Sequence, residues 1–128
     1  MASAGSALIA INLLGTGSFQ FIVHKADPAA PEATHLLWPR AETSRDYIAM
    51  GFSPDLHTAT EMAIRNMITF LTTQAPATYP NFPHLTRDDA YALISVACDV
   101  DITQLVDTKS GVHVMCPKAL FTTPTAAH

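Results

Sequence analysis

The stretch Ser95–Asp107, SVACDVDITQLVD, is where a helical pattern gives way to an alternating one. Val100, Ile102 and Val106 alternate as the buried face of a strand does. That phase puts Gln104 on the same face. A carboxamide turned inward must find hydrogen-bond partners or cost on the order of a few kcal/mol, so Gln104 is expected either to clamp backbone or to line a polar cleft. Asp99, at the helix-to-strand junction, reads either as a turn former bonded to local amides or as a carboxylate lining a site.

On the N-terminal side of this stretch a helix is expected from Thr86 to about Cys98. The Thr86 hydroxyl caps it, Asp89 reaches back in a box-like arrangement, and Ala90, Tyr91, Ile94 and Ala97 form its apolar side. On the C-terminal side, strands are expected at Val100–Val106 and Val112–Cys116. The connection DTKSG, ending in Gly111, fits a hairpin loop. Farther upstream, SPDLHTATEMAIRNMITFLTTQ (Ser53–Gln74) is the clearest helical signal. Ser53 is read as its cap, Pro54 as its first residue and Asp55 as favouring the positive end of the dipole. Leu56, Ala59, Ala63, Met67, Phe70 and Leu71 recur on one side, and Met62 and Met67 read as core filler. Pro76, Pro80 and Pro83 then break the period, so this helix is expected to stop at Gln74.

Before these helices, RDYIAMGF (Arg45–Phe52) reads as a strand that turns near Gly51. ADPAAPEATHLLWPR carries Pro28, Pro31 and Pro39 and reads as a loop with room for a short strand at HLLW. SFQFIVHK (Ser18–Lys25) reads as a strand. ALIAINLLG (Ala7–Gly15) has no Lys or Arg before it and falls far short of the roughly 20 apolar residues a spanning helix needs. It reads as a buried strand, and no membrane partner is expected. The whole is expected to be one α+β domain over residues 1–128, with antiparallel strands, two consecutive helices, a C-terminal hairpin, and flexible ends at about 1–6 and 122–128.

Composition narrows the function. The chain has 128 residues, 48% of them hydrophobic, enough for one domain with a real core. Lys and Arg number 7 against 11 Asp and Glu, a formal charge of −4 without a basic run, so nucleic acid is not an expected partner. Cys98 and Cys116 lie in apolar surroundings without CxxC spacing and read as reduced, buried thiols, which points to a cytoplasmic protein. Neither reads as a catalytic nucleophile: Cys98 has no His or Lys near it in sequence, and Cys116, near His113 and Lys118, lacks an orienting group. The six histidines, His24, His35, His57, His84, His113 and His128, never pair on one helical turn. This chain alone is therefore expected to hold no metal and no cofactor.

Three blocks in series carry a resemblance: PRAETSRDYIAMGFSPDLHTATEMAIRNMITFL, LTRDDAYALISVACDVDITQLVD and GVHVMCPKALF, from about Pro39 to Phe121. They contain a Tyr-Ile-x-x-Gly-Phe stretch before an Asp-Leu-x-x-Ala helix, a Ser-x-Ala-x-Asp-x-x-x-Thr-Gln-x-Val run, then Gly-Val-His and Pro-Lys. In this order and spacing the chain resembles the C-terminal part of the acetamidase/formamidase family. The resemblance implies hydrolysis of small linear amides, formamide or acetamide, to a carboxylic acid and ammonia. It also implies antiparallel β structure joined by helices near the C-terminus.

Family members are considerably longer, and their N-terminal segments, rich in Asp, His, Gly and Glu, are the natural source of a divalent metal site and a general base. Residues before Phe19 contain no carboxylate, histidine or cysteine. Asp99, Gln104 and Lys118 fall at positions matching the family's motif, and with them the resemblance implies a site. Lys118 either forms an ion pair or approaches a substrate carbonyl. Gly51 permits a special backbone conformation or a close approach, and His113, on the less buried face of its strand, is a weaker candidate. Ala49 stands where the family commonly has a hydroxyl residue, and the Pro-rich helix connection, longer than usual, reads as a surface insertion. Three readings follow. The chain is a portion of an amidase that acts with a missing N-terminal part or as a homo-oligomer, or it is a non-catalytic binding or oligomerisation module, or it is a small amidase with a rebuilt site.

Overall fold

Four strands and the helices between them are laid out in a computed structural model that describes residue 20 and residues 38–121. The strands expected at Ala7–Gly15 and Ser18–Lys25 and both expected flexible ends lie outside the described residues, Gln20 apart. Strands β1 (Arg40–Glu42), β2 (Asp46–Ser53), β3 (Asp99–Gln104) and β4 (Ser110–Pro117) form one antiparallel sheet in the order β1-β2-β4-β3. Between β2 and β3 run α1 (Leu56–Thr69), a π-helical turn (Phe70–Gln74), α2 (Ala75–Thr78) and α3 (Arg87–Ala97), and a 3-10 turn, Lys118–Phe121, follows β4. The expected α+β class, its consecutive helices and its C-terminal hairpin are all present. The three-residue β1 was not legible in the sequence.

The central pair β2–β4 sets the core. Tyr47, Ala49 and Gly51 stand opposite Cys116, Val114 and Val112. Onto this face α1 brings Ala59, Ala63 and Met67, and the π-helical turn adds Phe70 and Leu71, all buried. The helix comes so close that a Cβ on Gly51 would collide with the backbone of Ala59 and Ala63. Close approach therefore explains this glycine, and Asn66 Nδ2 fastens the same contact by donating to the Met50 carbonyl at 2.7 Å.

Helix ends correct two expectations. Asp55 caps α1 in place of Ser53, because its carboxylate reaches both the Thr58 amide (2.7 Å) and the Thr58 hydroxyl (2.8 Å). Helical structure also continues past Gln74 to Thr78 despite Pro76. The π turn makes this possible: Ala75 N–H donates to Phe70 O, five residues back, and the proline, which has no N–H, enters at the start of the next turn. At α3 the expected capping box is present in full. Its Tyr91, assigned to the apolar side, is instead 59% exposed, while Ala90 and Ile94 carry the burial.

The hairpin corrects a third. Val100 and Ile102 are 43% and 54% exposed, and Val106 lies beyond the strand and is exposed. Their face is not buried, because β3 is an edge strand and α1 packs over β2 and β4. The register also slips between Ile102 and Gln104, so that Gln104 meets Gly111 and the alternation that would have set it beside Ile102 is broken. The turn is made by Asp107 and Thr108, both with positive φ, inside the expected DTKSG connection, whose last residues Ser110 and Gly111 already belong to β4, with Gly111 beneath the Phe52 ring and Gln104. Among the described residues no helix is long and apolar enough to cross a membrane.

Candidate functional site

At the end of the sheet where β1 and β4 finish and β2 begins, several charged side chains come together. Lys118, just past β4, donates from Nζ to Glu42 Oε1 and to the Thr43 carbonyl, each at 2.6 Å, and lies 5.1 Å from the centre of the Tyr47 ring. Its backbone N–H donates to Arg45 O at 2.7 Å, which fixes the 3-10 turn against the β1–β2 connection. Glu42 also accepts from the Tyr79 hydroxyl at 2.8 Å. These two bonds, Lys118's first and Tyr79's second, hold the Glu42 carboxyl below its usual range. Burial, then the bond to Glu42, pushes the Tyr79 phenol up to about 12.

Below this node the rings of Tyr47, Phe70, Tyr79, Phe82 and Phe121 pack together, with Tyr47–Phe70 at 5.0 Å and Phe82–Phe121 at 4.5 Å between centroids. Tyr79 and Phe82 both come from the Pro-rich connection. That segment is therefore no mere surface insertion, since it supplies the buried Ala75 and Phe82 and one partner of Glu42. Arg40 completes the rim, donating to Gln74 Oε1 at 2.7 Å with its guanidinium 4.8 Å from the Phe70 centroid.

Beside the node opens a depression of about 660 Å³ whose wall includes Ser44, Arg45, Asp46, Asp99, Pro117 and Lys118. Asp99 and Lys118 thus reach one concavity from the first residue of β3 and the residue after β4. The Asp99 carboxylate has no hydrogen-bond or ion-pair partner among the described side chains, whereas two of the three Lys118 donors are already used. Gln104 is elsewhere. Its Nε2 donates to Lys109 O at 3.1 Å and, more weakly, to Val106 O at 3.4 Å, so it clamps the hairpin. His113 binds the Thr103 hydroxyl through Nδ1 at 2.7 Å and faces Asp101 at 4.0 Å.

The arrangement offers a carboxylate that can take a proton and an ammonium with one remaining donor for a carbonyl oxygen. It does not offer a metal donor set: among the described residues no three His, Cys, Asp or Glu gather closely enough to hold an ion. Sequence reading missed Glu42 and Tyr79. Their partners stand 76 and 37 residues away in the chain, and no local pattern announces them.

No protein-family model matches the chain, and no curated protein does. Solved structures do. An acetamidase from Yersinia enterocolitica superposes with a TM-score of 0.58 and 29% identity, over 70% of this chain and 24% of its own. The chain is built like part of an acetamidase. An acetamidase from Bacillus halodurans gives the same picture at TM-score 0.53 and 23% identity, over 65% of this chain and 25% of its own. The acetamidase likeness is thus partial in one direction: this chain spans about a quarter of the length of the acetamidases it matches.

Proposed function

We propose that this chain is one portion of an amide hydrolase acting in the cytoplasm on small linear amides such as formamide or acetamide, releasing ammonia and a carboxylate. The observation that carries this reading is the likeness of most of the chain to a quarter of an acetamidase. In it, Asp99 and Lys118 line the substrate depression. Asp99 takes a proton from water, and the remaining Lys118 donor meets the substrate oxygen. Gln104 supports the site at a distance by fixing the hairpin that starts with Asp99. A divalent metal in such an enzyme would draw donors from beyond residues 38–121, because among the described residues no donor set gathers for it.

The second reading is a non-catalytic module that associates with itself or a partner. It is favoured by the apolar side chains along β3 and its flanks, where Val96, Val100, Ile102, Leu105 and Val106 are all exposed. One experiment separates the two. Ammonia release from formamide and acetamide is measured with the purified chain, folded and monodisperse, with and without divalent metal and with a chelator control. Inactivity alone together with activity on adding a polypeptide that supplies the rest of an acetamidase fold is the expected result. Turnover by the chain alone would establish a complete rebuilt site, and inactivity in both settings would leave the module.

A further inference from the structure

Neither cysteine takes part in the depression, yet the fold brings the two together. Asp99 pairs with Met115 in the antiparallel ladder, so Cys98, one residue before Asp99 with an extended backbone (φ −108°, ψ 148°), stands across from Cys116, one residue after Met115. Residues directly opposite in an antiparallel pair have Cα atoms about 4.5–5.5 Å apart, within the roughly 4.4–6.8 Å span that a disulfide tolerates. The two thiols influence each other electrostatically. Cys116 is completely buried and Cys98 only partly. Both are unbridged, and they are the only cysteines in the chain.

We infer that Cys98 and Cys116 are an oxidisable pair, which low-molecular-weight disulfides of the glutathione class convert into a Cys98–Cys116 disulfide without unfolding the protein. Cys98 is the attacking sulfur because it is partly exposed, whereas Cys116 is completely buried. The neighbouring Cys116 thiol holds the Cys98 thiol below its ordinary range against the opposing effects of burial and of Asp99. The adjacent Cys98 and burial raise Cys116, which keeps its proton until the second step.

First the Cys98 thiolate attacks one sulfur of the small disulfide, forming a mixed disulfide and expelling one thiolate. Cys116 then loses its proton to the medium and attacks the Cys98 sulfur, expelling the second. Two protein thiols are oxidised and one external disulfide is reduced to two thiols. The product ties the last residue of the α3 cap to β4, at the root of the strand that carries Asp99.

The test uses the whole folded chain in buffers of graded reduced-to-oxidised glutathione ratio, quenched with acid, alkylated and weighed intact. The expected product has lost two hydrogens and takes up no alkyl group, and its peptide map joins Cys98 to Cys116. In the reduced protein, Cys98 should alkylate at least about tenfold faster than Cys116. Cys116→Ser or Cys116→Ala should stop at one glutathione on Cys98, and Cys98→Ser should stay unmodified until denatured. Separate adducts on both cysteines, or closure seen only in denaturant, would overturn the inference. This outcome is independent of amide hydrolysis, so the two proposals fail separately.

Discussion

On β4 the alternating residues Val112, Val114 and Cys116 are buried, whereas on the neighbouring β3 Val100 and Ile102 are 43% and 54% exposed. Yet Val100 pairs with Val114 and Ile102 with Val112, so these side chains share one face of one sheet. The difference lies in what covers them. The helix α1 spans β2 and β4, and α3 touches the sheet mainly through β4, which leaves the edge strand uncovered among the described residues. Period-two alternation records which residues share a face, and only the neighbouring layer decides whether the face is dry.

Substitutions on the two sides sharpen this comparison. The largest effect is expected at the covered side, where Gly51→Ala sets a Cβ against the α1 backbone and should lower stability by about 3 kcal/mol in urea unfolding. A cost near zero would mean that the helix does not press on β2 as described.

A smaller effect is expected at the rim that joins the two sides. Glu42 is half exposed and its partners are Lys118 and Tyr79, so Glu42→Gln should cost at most about 1 kcal/mol at neutral pH. Because the folded-state pKa of Glu42 is depressed, the unfolded chain binds its proton first as pH falls. The cost should therefore be complete above the ordinary glutamate pKa, near 4.5, and vanish as pH drops through the lowered value. Urea midpoints of both proteins across the acid range give the readout, and a difference that grows toward acid would contradict the ion pair.

The smallest effect belongs to the open side. Ile102→Thr should change stability by no more than about 0.5 kcal/mol while reducing any self-association seen by sedimentation. A loss comparable to that of Gly51→Ala would show that β3 is covered after all, and the contrast between the strands would collapse.

What could be read in advance was local. The apolar stripe from Leu56 to Leu71 lies within one helical stretch, and the Thr86–Asp89 box spans three residues, so both follow from short-range geometry. The exposure of β3 was misread because a bulge and a missing cover cannot be seen in its own six residues. Of the site residues, Asp99 and Lys118 do share a depression, whereas Gln104 closes a hairpin. The Glu42–Lys118–Tyr79 node was invisible for the same reason that β1 was: each exists only through contacts between distant segments.

By itself, then, the sequence determined the helices, the hairpin, the mixed class and the resemblance to a longer amidase, since these rest on periodicity, capping and ordered motifs within short spans. The tertiary structure alone decided which alternating face is buried, which charges meet at the rim and that Cys98 lies across from Cys116. Those are properties of packing between segments far apart in the chain, where one helix placed over two strands and not a third sets the outcome.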